Sequence, residues 1–176
     1  MKSIYVLLVF LLVSCSSENA NELENKINYG DYTAQIMTSN VAFDANLDGN
    51  YSNDFLAEFI ALGGSYQSRL KIANIGDNTS FVNITLPTMY KFAPTVQDET
   101  ITILNRTVSA NINNKSFMLT AFSMLDNDGN PTNTKIIDFT IVDSNTIKIK
   151  VNHSLIYDVP TTSWKTIVID ALYKKN

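Results

Sequence analysis

Alternation of apolar and polar side chains constrains this chain more than any other feature. Thr146-Ile-Lys-Ile-Lys-Val-Asn152 places Ile147, Ile149 and Val151 on one face and Lys148 and Lys150 on the other, the period-2 pattern of a half-buried strand. Ile137, Phe139 and Ile141 alternate with Asp138 and Thr140, and Ile101 and Ile103 with Thr100 and Thr102. The last run, Trp164 to Tyr173, is rich in β-branched and aromatic residues and suits a closing strand. Turn signals separate these runs: Gly76-Asp77-Asn78, Asn113-Asn114, Asp126-Asn-Asp-Gly-Asn-Pro131 and Asp143-Ser144-Asn145. Such residues tolerate positive φ or bond their side chains back to the backbone. The intervals, mostly about 8 to 16 residues, are those of successive hairpins. The pattern predicts an all-β, mainly antiparallel fold of about seven to nine strands, as an up-and-down barrel or a β-sandwich. A barrel removes sheet edges by closing, whereas a sandwich only protects them.

One interval breaks the alternation. In Asn53 to Leu62, Phe55, Leu56, Phe59, Ile60 and Leu62 share a helical face, Ser52 or Asn53 can cap the start, and Gly63-Gly64 can stop it. A short helix near the N-terminal end is therefore predicted.

The amino terminus carries an address. Lys2 precedes an unbroken apolar run from Ile4 to Val13, the n- and h-regions of a secretory signal. As a helix that run would be about 15 Å long, half a bilayer's hydrocarbon core. Leu12-Val13-Ser14-Cys15 resembles the lipobox of bacterial lipoproteins, and Cys15 is the single cysteine of the chain. The resemblance implies cleavage before Cys15 and acyl chains on that residue, which join the protein to a membrane. Two chains exceed the marginal binding of one, at about 0.8 kcal/mol per buried methylene. With Cys15 acylated no disulfide is available, and the exported fold must rest on its own core.

The predicted organisation is a signal peptide over 1–14, a lipidated cysteine and flexible polar tether over 15–28, and one domain over 29–176. Of 176 residues, 162 remain after cleavage, and without Lys2 the 12 basic and 17 acidic residues leave a net charge near −5. One domain of that size can bury a sizeable core. Mild acidity speaks against nucleic acid, whose phosphates favour a basic face. Serine rather than aspartate follows Cys15, which leans toward the outer membrane of a bacterial envelope.

Tyr29-Gly30-Asp31-Tyr32 opening the first strand, the Asp44 to Glu58 stretch, and the closing Trp164-to-Lys174 strand resemble small Bacteroidetes lipoproteins with lipocalin-like domains. The resemblance implies a cup-like barrel that holds a small apolar molecule, and so a membrane-anchored, nonenzymatic carrier. The alternative is an interaction module of the envelope or cell surface: an adhesin, a complex subunit or an immunity-type factor.

The sharpest local motif is Asp44-Ala-Asn46-Leu-Asp48-Gly49-Asn50-Tyr-Ser52-Asn-Asp54. Oxygen side chains at relative positions 1, 3 and 5, with glycine at 6, can wrap a hard cation such as Ca2+. An EF-hand places a bidentate glutamate at position 12, where this chain has Phe55; Asp54 comes one residue early and Glu58 one helical turn later. Two readings fit: a calcium loop using Asp44, Asn46, Asp48, Asn50 and Asp54, or an Asn/Asp-rich loop leading into a helix cap. The acidic turn at Asp126 to Gly129 reads as a hairpin turn.

No catalytic residue is predicted. His153 is the sole histidine, so a zinc site of His and Cys ligands cannot be assembled. A Ser-His-Asp set could be drawn only through His153, Ser154 and Asp158, and neighbours along a strand face opposite ways. Tyr90, Phe92, Phe117, Phe122, Tyr157, Trp164 and Tyr173 suit core packing, with a ligand cup as the other use.

Overall fold

A computed structural model describes residues 27–45, 48–61, 68–92, 100–125, 129, 131–158 and 163–176. The signal, Cys15, nearly all of the tether, and Asn46 lie outside those residues. Nine strands and one helix follow in the order β1 (Gly30–Phe43), β2 (Ser52–Asp54), α1 (Phe55–Ile60), β3 (Arg69–Gly76), β4 (Thr79–Phe92), β5 (Thr100–Asn113), β6 (Leu119–Ala121), β7 (Lys135–Asp143), β8 (Thr146–Asp158) and β9 (Ser163–Lys175).

Eight strands form one antiparallel sheet in the order β6-β5-β4-β3-β1-β9-β8-β7, with the short β2 added to β1. This is an up-and-down barrel with its gap displaced. The first and last strands pair along much of their length, from Tyr32↔Lys175 to Ser39↔Ile169, so the termini close the ring. The seam falls instead between β6 and β7, which are not ladder neighbours.

Inward and outward residues follow the predicted alternation. Ile147, Ile149 and Val151 are buried, while Lys148 lies outside and pairs with Asp170. Asp77 and Asn78, at φ 45° and 56°, make the two-residue turn from β3 to β4; both central residues positive is the type I′ geometry matched to strand twist. One strand departs from the pattern. A bulge between Ile136 and Asp138 on β7 buries Ile136 and Phe139 and leaves Ile137 42% exposed. An extra residue in a bulge shifts the faces by one.

Strand direction sorts the connections. Ile27, the β3–β4, β5–β6 and β7–β8 turns and the C-terminus share the entry end; the start of β9, the Phe43-to-Ser52 loop and α1 share the far end. At the far end β3 begins only at Arg69, opposite Thr33 of β1, so the upper half of β1 takes β2 as its partner. Helix α1 is shorter than predicted because Ser52–Asp54 extends along β1, and Asp54 rather than Ser52 or Asn53 is the cap. Its Phe55 and Phe59 stack with Phe43, ring centroids 5.0 to 6.0 Å apart.

The described inner face is apolar and shielded from solvent. Tyr32, Met37, Leu70, Ile84, Ile112 and Tyr173 are among its fully buried side chains. Polar groups inside are bonded: the Ser68 hydroxyl donates to the Thr85 carbonyl at 2.8 Å and lies 2.6 Å from the Tyr173 hydroxyl. Burial pushes the Tyr173 phenol upward, so it stays a neutral donor.

Candidate functional site

Among the described residues, three places stand out beyond the core, besides an open cleft of about 260 Å³ on the β1–β9–β8 face lined by Ile36, Thr38, Lys148, Asp170, Ala171 and Leu172. The first is the loop from Asp44 to Asp54. Asp44 is buried, and its carboxylate accepts from the backbone N–H of Asp48 at 3.2 Å and of Gly49 at 3.0 Å. Asp48 accepts from the Asn50 N–H at 2.7 Å. Gly49 stands at φ +84°, where a side chain would be strained. Asp54 accepts from the Ala57 N–H at 3.0 Å and caps α1. Buried Glu58 reaches back to the Ala45 N–H at 3.0 Å. Each carboxylate thus holds a backbone donor that a turn or helix start would leave unpaired. Among the described residues no group of three or more His, Cys, Asp or Glu side chains gathers in reach of one cation.

The second place is His153. It is fully buried on β8, with Nε2 3.0 Å from the Pro87 carbonyl of β4. These strands lie on opposite sides of the ring. Beyond Ile84, β4 runs past the start of β3, and Pro87 is tolerated in this stretch because it has no N–H to leave unpaired. His153 supplies a donor to the Pro87 carbonyl and packs on Phe55 at 5.9 Å. Desolvation pushes its pKa down to about 4, with the Pro87 bond opposing, so the ring is neutral near pH 7. Its Nδ1 lies 3.5 Å from the Thr134 hydroxyl, which lies 3.1 Å from the Ser154 hydroxyl. His153 and Ser154 therefore meet through Thr134, and the three read as a structural pin across the barrel.

The third place is the seam, which the sequence did not signal. Phe117, in the β5–β6 turn, and Phe139, Thr140 and Ile141 of β7 line a cleft of about 200 Å³. Phe117 has φ 53°, a region a bulky L-residue rarely enters. The turn holds it there: the Phe117 N–H donates to the Asn113 carbonyl at 2.8 Å, and the Asn113 side chain accepts from Lys115 and Ser116 N–H groups at 3.0 Å. Phe117, Leu119, Ala121 and Ile141 are partly buried against the core, so the opening reaches apolar interior. Further from the entry end, the chain beyond β6 meets the approach to β7: Met124 N–H donates to the Thr134 carbonyl at 2.9 Å, and Leu125 bridges Pro131. This agrees with the hairpin predicted around Asp126 to Gly129, of which 126–128 lie outside the described residues.

Comparison with protein-family models, curated proteins and solved structures gave no match.

Proposed function

We propose that this chain is a membrane-anchored, nonenzymatic lipoprotein of the bacterial envelope, held to the outer membrane through Cys15, that binds a small apolar molecule. The observation that carries the reading is the seam cleft, where Phe117 of the β5–β6 turn and Phe139 and Ile141 of β7, packed on or part of the core, line an opening beside the unpaired edge of β7. A ligand site needs concave apolar lining and few polar groups. Three of the four side chains lining the cleft, Phe117, Phe139 and Ile141, are apolar, although the cleft is shallow and the resemblance pointed instead to a cup mouth. Removing such a surface from water stabilises a complex by roughly 25 cal/mol per Å².

The test is photo-cross-linking of the full chain, purified from its own envelope, with a diazirine-bearing sixteen-carbon fatty acid. Saturable label on peptides containing 117 and 139–141, competed by unlabelled fatty acid, is the expected result. Labelling that neither saturates nor concentrates there would remove the carrier reading.

A second reading, an envelope interaction module, draws on the exposed apolar side chains Phe122, Leu125, Ile137 and Trp164. Gathered into one contiguous patch, such side chains would mark a docking surface. Recovery of a stoichiometric envelope protein together with an unlabelled seam would favour it.

A further inference from the structure

Four observations give the seam cleft a direction. The chain enters the barrel across the base of the seam: the Asn28 side-chain amide donates to the Ser144 carbonyl of the β7–β8 turn at 2.9 Å, and the Asn114 amide of the β5–β6 turn lies 3.3 Å from the Tyr29 hydroxyl. Ile27 is buried beside them, so the described chain begins at this end. The eleven residues between Cys15 and Ile27 reach at most about 40 Å when fully extended. A lipid on Cys15 therefore keeps the entry end close to the bilayer.

Exposed apolar residues flank the cleft at this end, while others, Val41, Tyr51, Ile60 and Trp164 among them, stand toward the far end. Met118 is 66% exposed and Val142 54%, either side of the cleft, with Ile75 on the β3–β4 side. Charge agrees. Lys71, Lys115, Lys174 and Lys175 stand at the entry end with Asp31, Asp77 and Asp143, whereas the described far-end loop and helix carry Asp44, Asp48, Asp54 and Glu58. Among these described groups the end nearer an anionic lipid surface is the less acidic one, against which stand Glu18, Glu22 and Glu24 of the preceding segment and Lys135 and Lys165 toward the far end.

The edge itself selects the occupant. β7 has register shifts at Ile136/Asp138 and Ile141/Asp143, and bulges of this kind stop an edge from pairing with an incoming strand. A peptide strand would need a regular ladder; a hydrocarbon chain needs only apolar side chains. At about 200 Å³ the cleft lies below the usual range for an enclosed drug-sized ligand, roughly 300–1,000 Å³. It suits part of one chain whose remainder stays in the bilayer.

We infer that the seam between Phe117 and β7 faces the membrane and takes an acyl chain of a bilayer phospholipid laterally, with Met118 and Val142 entering the headgroup–acyl boundary. This rests on the apolar-ligand reading above and adds the source of the ligand and the orientation of the barrel. Phe117 forms the cleft wall on the β6 side, held in place by the Asn113 turn.

The experiment uses the full lipidated chain in phosphatidylethanolamine–phosphatidylglycerol vesicles containing phospholipid brominated along one acyl chain. Trp164 is the only tryptophan and sits at the far end. Two reporters are compared with it: Met118→Trp and Val142→Trp, each in a Trp164→Phe background. Both substituted positions are exposed, so the changes leave the core intact. Emission from the indole introduced at either position is expected to be largely lost in brominated vesicles, while Trp164 in the unaltered chain keeps its emission. Adding Ile141→Asp, which places a charge in the cleft, should restore emission from both reporters. Equal quenching of both reporters and Trp164, or no quenching of either reporter, overturns the inference. If that result accompanies saturable fatty-acid labelling of the seam, the apolar-ligand reading survives and only the membrane-facing orientation is lost. If labelling fails as well, both fall together.

Discussion

At the scale of single residues, two side chains are held where their intrinsic preferences oppose them. His153 is neutral in the fold because burial depresses its pKa from 6.5 to about 4. In the unfolded chain it binds a proton below about pH 6.5, so between those values the unfolded state holds more protons. Stability therefore falls as pH drops from 6.5 to 4 and levels off below. A shift of that size corresponds to at most roughly 3 kcal/mol. Urea unfolding followed across pH 4–7 should show this slope, and His153→Gln, which keeps a donor for Pro87 without titrating, should flatten it. An unchanged slope would assign the effect to the carboxylates. Phe117 gives a sharper case. Its positive φ costs about 1 kcal/mol for a residue with a Cβ, so Phe117→Gly should be the more stable of the Gly and Ala variants by about that amount, the reverse of the usual order in a strand or helix. Equal denaturation midpoints for the two would show that the turn relaxes.

At the scale of elements, the short helix packs into the far end of the described barrel. Six residues are too few to be helical alone, and α1 persists because Phe55 and Phe59 pack on Phe43 and His153. Phe59→Ala should cost about 3–5 kcal/mol, and Asp54→Ala, which removes the cap, about 1 kcal/mol; thermal melts rank the two. The Asp44 carboxylate accepts from two backbone N–H groups, bonds that can shape the described part of the loop without a cation. Chelation by EDTA should leave the melting temperature where it was. A midpoint that rises with millimolar calcium would show that Asp44, Asp48 and Asp54 exchange these donors for a metal. The loop was legible as a run of oxygen side chains, while which backbone donors Asp44, Asp48 and Asp54 meet depended on where the chain folds them. Glu58, a turn into the helix, proved to be the carboxylate that reaches back to Ala45.

For the whole molecule, the alternation was enough to specify most of the long strands, their turns and, outside the start of β7, their faces, because each depends on residues a few positions apart. Ile147, Ile149 and Val151 face inward and Lys148 outward as the period requires, and Gly76-Asp77-Asn78 turns where such residues must. Even the closing role of Trp164 to Tyr173 could be read from the chain. Barrel against sandwich could not be, because ring closure rests on pairs such as Thr33↔Lys174, and no local pattern states which distant strand a given edge will meet. The same holds for the site. That the termini seal the ring and the gap opens between β6 and β7, that a bulge turns Ile137 outward, and that His153 reaches across to Pro87 are outcomes of fitting a finite number of strands round one core. Local side-chain preference determined the pieces of this protein. Long-range pairing and the volume left between the walls decided where it opens.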